Sequence, residues 1–354
     1  MIHQYFEESR SKWVKILVGI SIAFILCFIL NISLGSVLIP IQDIFSFLTG
    51  GETSKESWSL ILSNFRIPKA LTAIFVGSAL GISGLQMQTL FRNPLAGPYI
   101  LGISSGAGLG VALVIFLGFY FGGFLSITGI GRSWLLVVSA GLGSFLVLLV
   151  IAVVAARIKD SVSLLIIGLM FGTASGALVS ILQFFSQAEN IQAYVLWSFG
   201  NLGSLSWKEL GVFIPVLTIG LIASVMLSKH LNALLLGENY ARSLGLNIRK
   251  TRLLIIVNTS ILAGTVTAFC GPIAFFGVAM PHLTRMLFNT SNHLLLTPVL
   301  ILFGATLMLL FDSISQLPGF GATLPINAVT SLIGAPFVIY LLIRKKNLGY
   351  SFNA

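Results

Sequence analysis

Ionisable and nucleophilic side chains set the chemistry a protein can perform, and this chain has few: 10 acidic residues, 4 histidines and 2 cysteines among 354. No Gly-Lys dipeptide occurs, so the G-x-x-x-x-G-K-[ST] loop that cradles nucleotide phosphates is missing, as is the H-E-x-x-H spacing of a zinc hydrolase. Such a chain is expected to hydrolyse no ATP itself and to bind no cofactor or metal. Cys27 and Cys270 fall inside apolar runs without C-x-x-C spacing, which points to neither a disulfide framework nor a metal site. His3 is terminal, His230 and His293 flank apolar segments, and His282 lies within one beside Pro281, where helix packing is favoured over ligation. Asp312 is the carboxylate at membrane depth. Left unpaired it would cost a few kcal/mol or more, but it falls at the outer end of its segment, where water or a neighbouring helix N-terminus can satisfy it. With no second buried charge expected, a proton relay has little to work with, and any transport needs another source of energy.

The elements that hold these residues follow from composition. The chain is 56% hydrophobic and 8% charged with a mean hydropathy of +1.01, whereas soluble domains carry roughly 25% charged residues. It reads as an all-α polytopic membrane protein, a single domain over residues 1–354. The net charge of +10 is spread over the ends of apolar runs instead of forming a patch, which argues against nucleic acid. Ten spans are expected: Val14–Leu34, Ile67–Phe91, Pro98–Tyr120, Ser133–Ala156, Val162–Phe184, Leu210–Leu227, Leu253–Phe269, Ile273–Leu287, Leu294–Phe311 and Leu324–Ile343. The first is kept as a span, not a cleaved signal, because no Ala-x-Ala pattern ends it. The eighth is short and contains Pro281, His282 and Arg285, so a broken or partly re-entrant helix is as good a reading as a simple crossing. With the N-terminus in the cytoplasm, only Lys55, Arg66, Lys69, Arg132 and Lys208 of the 20 Lys and Arg fall outside, so both termini are expected inside.

The strongest polar interruption is Leu236 to Arg252, with one acid and four bases. Gly245 ends one short helix and Asn247 caps another, giving a helix pair that serves either as a docking surface or as a connector on anionic membrane lipid. Two outer segments, Ile41–Arg66 and Gln187–Lys208, are long enough for short surface helices, the second around Ala193–Phe199. Small residues recur at four-residue spacing as Gly77 and Gly81, then Gly102, Gly106 and Gly110, which allows close helix approach. Gly97-Pro98 and Gly271-Pro272 open spans three and eight, a hint of an inverted repeat.

Several stretches together resemble the permease subunits of type II ABC importers, the group that takes up ferric siderophores, haem and vitamin B12. They are Arg66-Ile-Pro-Lys-Ala-Leu-Thr-Ala, Gly84-Leu-Gln-Met-Gln-Thr-Leu-Phe-Arg-Asn-Pro-Leu-Ala, Leu101-Gly-Ile-Ser-Ser-Gly-Ala, Leu236-Gly-Glu-Asn-Tyr-Ala-Arg-Ser-Leu-Gly-Leu-Asn, Gly271-Pro-Ile-Ala-Phe-Phe-Gly-Val-Ala-Met-Pro-His and Leu332-Ile-Gly-Ala-Pro-Phe. The resemblance covers nearly the whole chain, and in this order and spacing the stretches are specific to that group. The resemblance implies a bacterial inner-membrane permease for an iron chelate or haem, with vitamin B12 as the alternative cargo, paired with a second copy or a related permease around a two-fold translocation path. It implies two cytoplasmic ATPase subunits, which use ATP and Mg, and an extracytoplasmic binding protein. Glu238, Ala241, Arg242, Leu244 and Gly245 match the ATPase-coupling pattern; Ser161, Val162 and Ser163 align with the cytoplasmic gate; Arg66 and Lys69 align with bases that meet the binding protein in some relatives. The chain departs from the family at Thr323-Leu-Pro-Ile-Asn, where Glu-Leu-Pro-Val-Gly is common, and at Gln316, where some relatives carry a base. Both departures lie on the outer face. The rival reading from another class is an ion-coupled secondary transporter.

Overall fold

Helices account for every regular element among the described residues. The computed structural model describes residues 2–118, 132–157, 161–317 and 323–344; Tyr120, Lys159, Lys345 and Lys346 lie outside them. In chain order the elements are α1 (Ile2–Ser33), α2 (Ile41–Leu48), α3 (Glu56–Ile61), a π-turn (Leu62–Arg66), α4 (Ile67–Phe91), a 3-10 turn (Pro98–Leu101), α5 (Ile103–Leu117), α6 (Arg132–Arg157), α7 (Ser161–Phe184), α8 (Ala188–Ser198), α9 (Trp207–Leu235), α10 (Glu238–Ser243), α11 (Ile248–Cys270), α12 (Phe276–Phe288), α13 (His293–Ser315) and α14 (Ile326–Arg344). Among the described residues, seven helices are long and apolar enough to cross a membrane. Two shorter helices, α5 and α14, are apolar as well, and with α12 they bring the number to the ten expected.

α4 is the axis of the bundle: every residue from Val76 to Phe91 is buried. In lipid, close approach must replace the hydrophobic drive between helices, and glycine provides it. A Cβ added to Gly77 would fall on the carbonyl oxygen of Gly304 in α13, and one added to Gly84 on that of Gly277 in α12. The helix stops where its sequence says it must. Arg92 takes the left-handed conformation, φ 46°, and Asn93-Pro94 follows, a pair that cannot continue the helix.

The two Gly-Pro dipeptides open the two half-length helices. After Gly97-Pro98, α5 starts near mid-depth, where the Ser144 hydroxyl of α6 donates to Ile103 O at 3.2 Å. After Gly271-Pro272, an extended stretch runs back along the bundle and α12 starts at the level of Gly84. The two stretches touch: Ile273 N donates to Tyr99 Oη at 3.3 Å, and a Cβ on Gly277 would lie 2.9 Å from Pro98 Cδ. From this centre α5 and α12 run to opposite ends. α12 has 13 residues, roughly 20 Å of helix against about 30 Å of hydrocarbon, so it is too short for a full crossing by itself, and of the stretch before it Gly271 and Ile273 are buried. Asn327 of α14 holds that stretch, its side-chain oxygen accepting from Ala274 N at 3.0 Å.

Ties between helix ends sort the bundle into two ends. At one, the Trp13 indole N–H donates to Phe288 O at 3.0 Å and Arg92 Nη2 to Leu234 O at 3.0 Å. At the other, the Trp207 indole donates to Ser63 O at 2.9 Å. The described bases read as cytoplasmic gather at the first, the basic end; Lys55, Arg66, Lys69 and Lys208 gather at the far end. The far-end segments fold as α2, α3 and α8. α8 starts at Ala188, five residues before the sequence reading, because Gln187 O already accepts from Asn190 N and Ile191 N.

Candidate functional site

At the basic end the polar stretch 236–252 forms one short helix, α10, and not a pair. Asn247 caps as expected, its side chain accepting from Lys250 N at 3.1 Å. Nothing breaks the helix before Leu253, so the second half of the stretch is the first turn of α11. α10 hangs from α9 through Gly237, φ 114°, and is pinned by the ion pair of Glu238 Oε1 with Arg252 Nη2 at 2.7 Å. Ala241 is fully buried beneath it. Gly245, φ 83°, closes the helix, its N–H donating to Arg242 O at 2.9 Å and that of Leu246 to Ala241 O at 3.1 Å. A side chain at this φ is strained even though open space surrounds the position. The result is a rigid knob that presents Tyr240, Arg242, Ser243 and Leu244 outward, with Arg249 and Lys250 beside them. Glu238 and Ala241 build the knob while Arg242 and Leu244 form its face. An aromatic, an aliphatic and three bases in one patch fit a groove that is apolar with an acidic rim.

Ser161 to Ser163 make the first turn of α7 at the same end. The side chains of Ser161 and Val162 lie outside the described residues; Ser163 is half-buried. Farther along, α7 exposes Thr173, Ala174, Gly176, Ala177 and Ser180 among the larger Leu169, Met170, Leu178, Ile181 and Phe184, whereas the large exposed residues of α6 are Val, Leu and Phe.

The far end corrects the reading of Asp312. The carboxylate is 1% exposed and does have a charged partner, with Lys69 Nζ 3.0 Å from Oδ1. Asn31 Nδ2 and Gln316 Nε2 donate to Oδ2 at 2.8 and 2.7 Å. Arg66, 8% exposed, donates to Gln316 Oε1 and to Val37 O, both at 3.1 Å. One network thus joins α1, α4 and α13. Arg66 and Lys69 are not the open pair at a helix mouth that the sequence implied: helical turns from Glu56 lead into α4 without a break, and Arg66 is held by Gln316 and Val37 and Lys69 by Asp312. Among the described side chains, the exposed bases at that end are Lys55 and Lys208.

Two further polar clusters cross the centre and were not foreseen. Gln86 Nε2 donates to Ser224 Oγ at 3.0 Å and Thr259 Oγ1 to Gln86 Oε1 at 2.8 Å, while Asn258 Nδ2 donates to Ser224 Oγ at 2.7 Å. Nearer the basic end, His293 is fully buried, its Nε2 2.8 Å from Thr89 Oγ1 and its Nδ1 2.9 Å from Asn232 Oδ1. Arg285 donates to Gln88 Oε1 at 2.9 Å. His293 therefore does not merely flank a span. His282 behaves as a packing residue, with Nε2 2.9 Å from Pro94 O. The readable signal was the run Gln86-Met-Gln88-Thr89 inside an apolar segment, since amides there need interhelical partners. Among the described residues no three His, Cys, Asp or Glu cluster as a metal site would require.

The FecCD transport family model matches residues 23–344. The chain belongs to the FecCD transport family. It is the permease of a type II ABC importer. The vitamin B12 import system permease protein BtuC of Klebsiella pneumoniae is 32% identical over 345 residues, 98% of each chain. The hemin transport system permease protein HmuU of Yersinia pestis is 33% identical, covering 92% of this permease and 96% of its own length. Among solved structures, an inward-facing conformation of a metal-chelate type ABC transporter aligns with TM-score 0.81 and 30% identity, over 93% of this permease and 99% of that chain.

Proposed function

We propose that this permease carries an iron chelate, a ferric siderophore or haem, across the bacterial inner membrane along a path between two copies of the chain, driven by ATP on partner subunits. The observation that carries the reading is the pinned knob at the basic end. A short helix fixed by a buried-side ion pair and closed by a positive-φ glycine transmits force as a unit, and its exposed face suits a cytoplasmic ATPase. Lipid does not need such rigidity. The basic end then faces the cytoplasm, both termini with it, and the partner ATPases bind and hydrolyse ATP with Mg.

The exposed face of α7, which carries Thr173, Ala177 and Ser180 among Met170, Ile181 and Phe184, lines the path, and Ser161, Val162 and Ser163 gate its cytoplasmic end. At the outer end the binding protein meets Lys55 and Lys208 first. Arg66 and Lys69 contribute through their field, because an incoming carboxylate must compete with Asp312 for Lys69. The hemin relative and the metal-chelate type neighbour support the iron-chelate class. A vitamin B12 cargo is the second reading, favoured by the relative that aligns over almost the full length. Titration of the cognate binding protein with a ferric siderophore, haem and cobalamin separates the two: tight binding of an iron chelate is expected, and tight binding of cobalamin alone overturns it.

A further inference from the structure

α2 has one covered face and one bare face. Asp43 and Ile44 are buried, and Asp43 Oδ1 accepts from Ser54 N at 2.6 Å, which ties down the loop that follows. Ile41, Phe45 and Leu48 are 55%, 51% and 48% exposed and recur at the i, i+4, i+7 spacing of a single helix face. Val37 and Leu38, in the turn just before, are exposed as well. They continue a row of exposed apolar residues on α1, from Ile22 through Ile25 and Leu26 to Leu30. No exposed side chain between Ser36 and Leu48 is charged.

We propose that α2 is an in-plane membrane anchor whose apolar face lies at the headgroup boundary of the outer lipid leaflet. Its partner is the lipid surface and not a protein. Continuity with the lipid-facing flank of α1 carries the inference: the bilayer that bathes Ile22 to Leu30 reaches Val37 and Leu38 within two turns' worth of chain, and Ile41 follows directly. The absence of charge agrees, since a face that meets a soluble partner reversibly must stay soluble when that partner leaves, and five bare apolar side chains do not. An amphipathic helix at the interface buries such a face permanently. The anchor also fixes the depth of the far-end network, because Val37, whose carbonyl accepts from Arg66, is the segment from which α2 hangs. The orientation proposed above enters only in naming the leaflet.

Nitroxide labels on Phe45→Cys and Leu48→Cys, with Glu52→Cys as the loop control, test this in nanodiscs holding the permease with its ATPase partners. The unsubstituted chain, with half-buried Cys27 and buried Cys270, sets the labelling background. Oxygen, which partitions into lipid, is expected to relax the labels at 45 and 48 more strongly than a water-soluble nickel chelate, with the order reversed at 52. Adding the soluble binding protein should leave both values unchanged. Greater relaxation by the nickel chelate at 45 and 48 would overturn the proposal, and so would shielding from both reagents that arises only when the binding protein or a second permease copy is bound.

Discussion

Removing one member of the Lys69–Asp312 pair strands the other charge among α1, α4 and α13. Breaking a buried pair in this way costs about 3–5 kcal/mol, whereas exchanging both partners for apolar groups is often close to neutral. Lys69→Met is therefore expected to lower the thermal unfolding midpoint of the detergent-solubilised permease markedly, and Lys69→Met with Asp312→Leu to recover most of the loss. Equal destabilisation in the single and double variants would show that Lys69 contributes packing and not charge. Asp312 was legible in the sequence as a costly carboxylate at membrane depth; its partner was not. Lys69 counts as an outer base in any charge-bias reading, and only the packing of α4 against α13 brings it to Asp312. The same limit hid His293 and Gln86. Their types and positions flagged polar groups that need partners, but the partners sit on helices far apart in sequence, and pairing is a property of packing.

The knob formed by α10 depends on backbone geometry that two substitutions address from different sides. Proline holds φ near −65° and lacks an N–H, so Gly245→Pro is incompatible with the observed φ of 83° and removes the bond to Arg242 O. Arg242→Glu keeps the helix and inverts the charge of its face. Both variants are expected to abolish the ATP hydrolysis that substrate-loaded binding protein stimulates, while inserting and pairing normally by membrane extraction and size-exclusion chromatography. Normal stimulated activity in both would return this stretch to the role of a lipid-bound connector. At this scale the sequence was most informative where a helix has strong punctuation. α4 runs from Ile67 to Phe91 as expected and stops at Arg92-Asn93-Pro94, although helical turns from Glu56 lead into it without a break. It was least informative where apolar runs have no punctuation that shows depth. Gly271-Pro272 marks a break, yet hydropathy alone cannot show that the chain doubles back extended to the centre before α12 begins.

Ten crossings with half-helices meeting at the centre make a bundle whose ends are chemically distinct, and orientation is the first thing to establish for the whole molecule. Single cysteines near Glu8 and Ser351 are expected to be labelled from the cytoplasm and one near Ser54 from outside; opposite sidedness of the two termini would break the ten-span fold. Energy source is the second. The described residues offer one far-end ion pair already satisfied by hydrogen bonds, and polar clusters built from amides, hydroxyls, one buried histidine and Arg285, which suits packing and pivoting better than proton relay. The most direct test is uptake of radiolabelled iron chelate into proteoliposomes carrying the permease with its ATPase partner, with and without ATP, binding protein and an uncoupler. Uptake is predicted to require all the protein components and ATP, to persist when the proton gradient is collapsed, and to survive in Asp312→Asn at a reduced level. Uptake by the permease alone, or its loss on adding uncoupler at constant ATP, would contradict the account and identify an ion-coupled transporter instead.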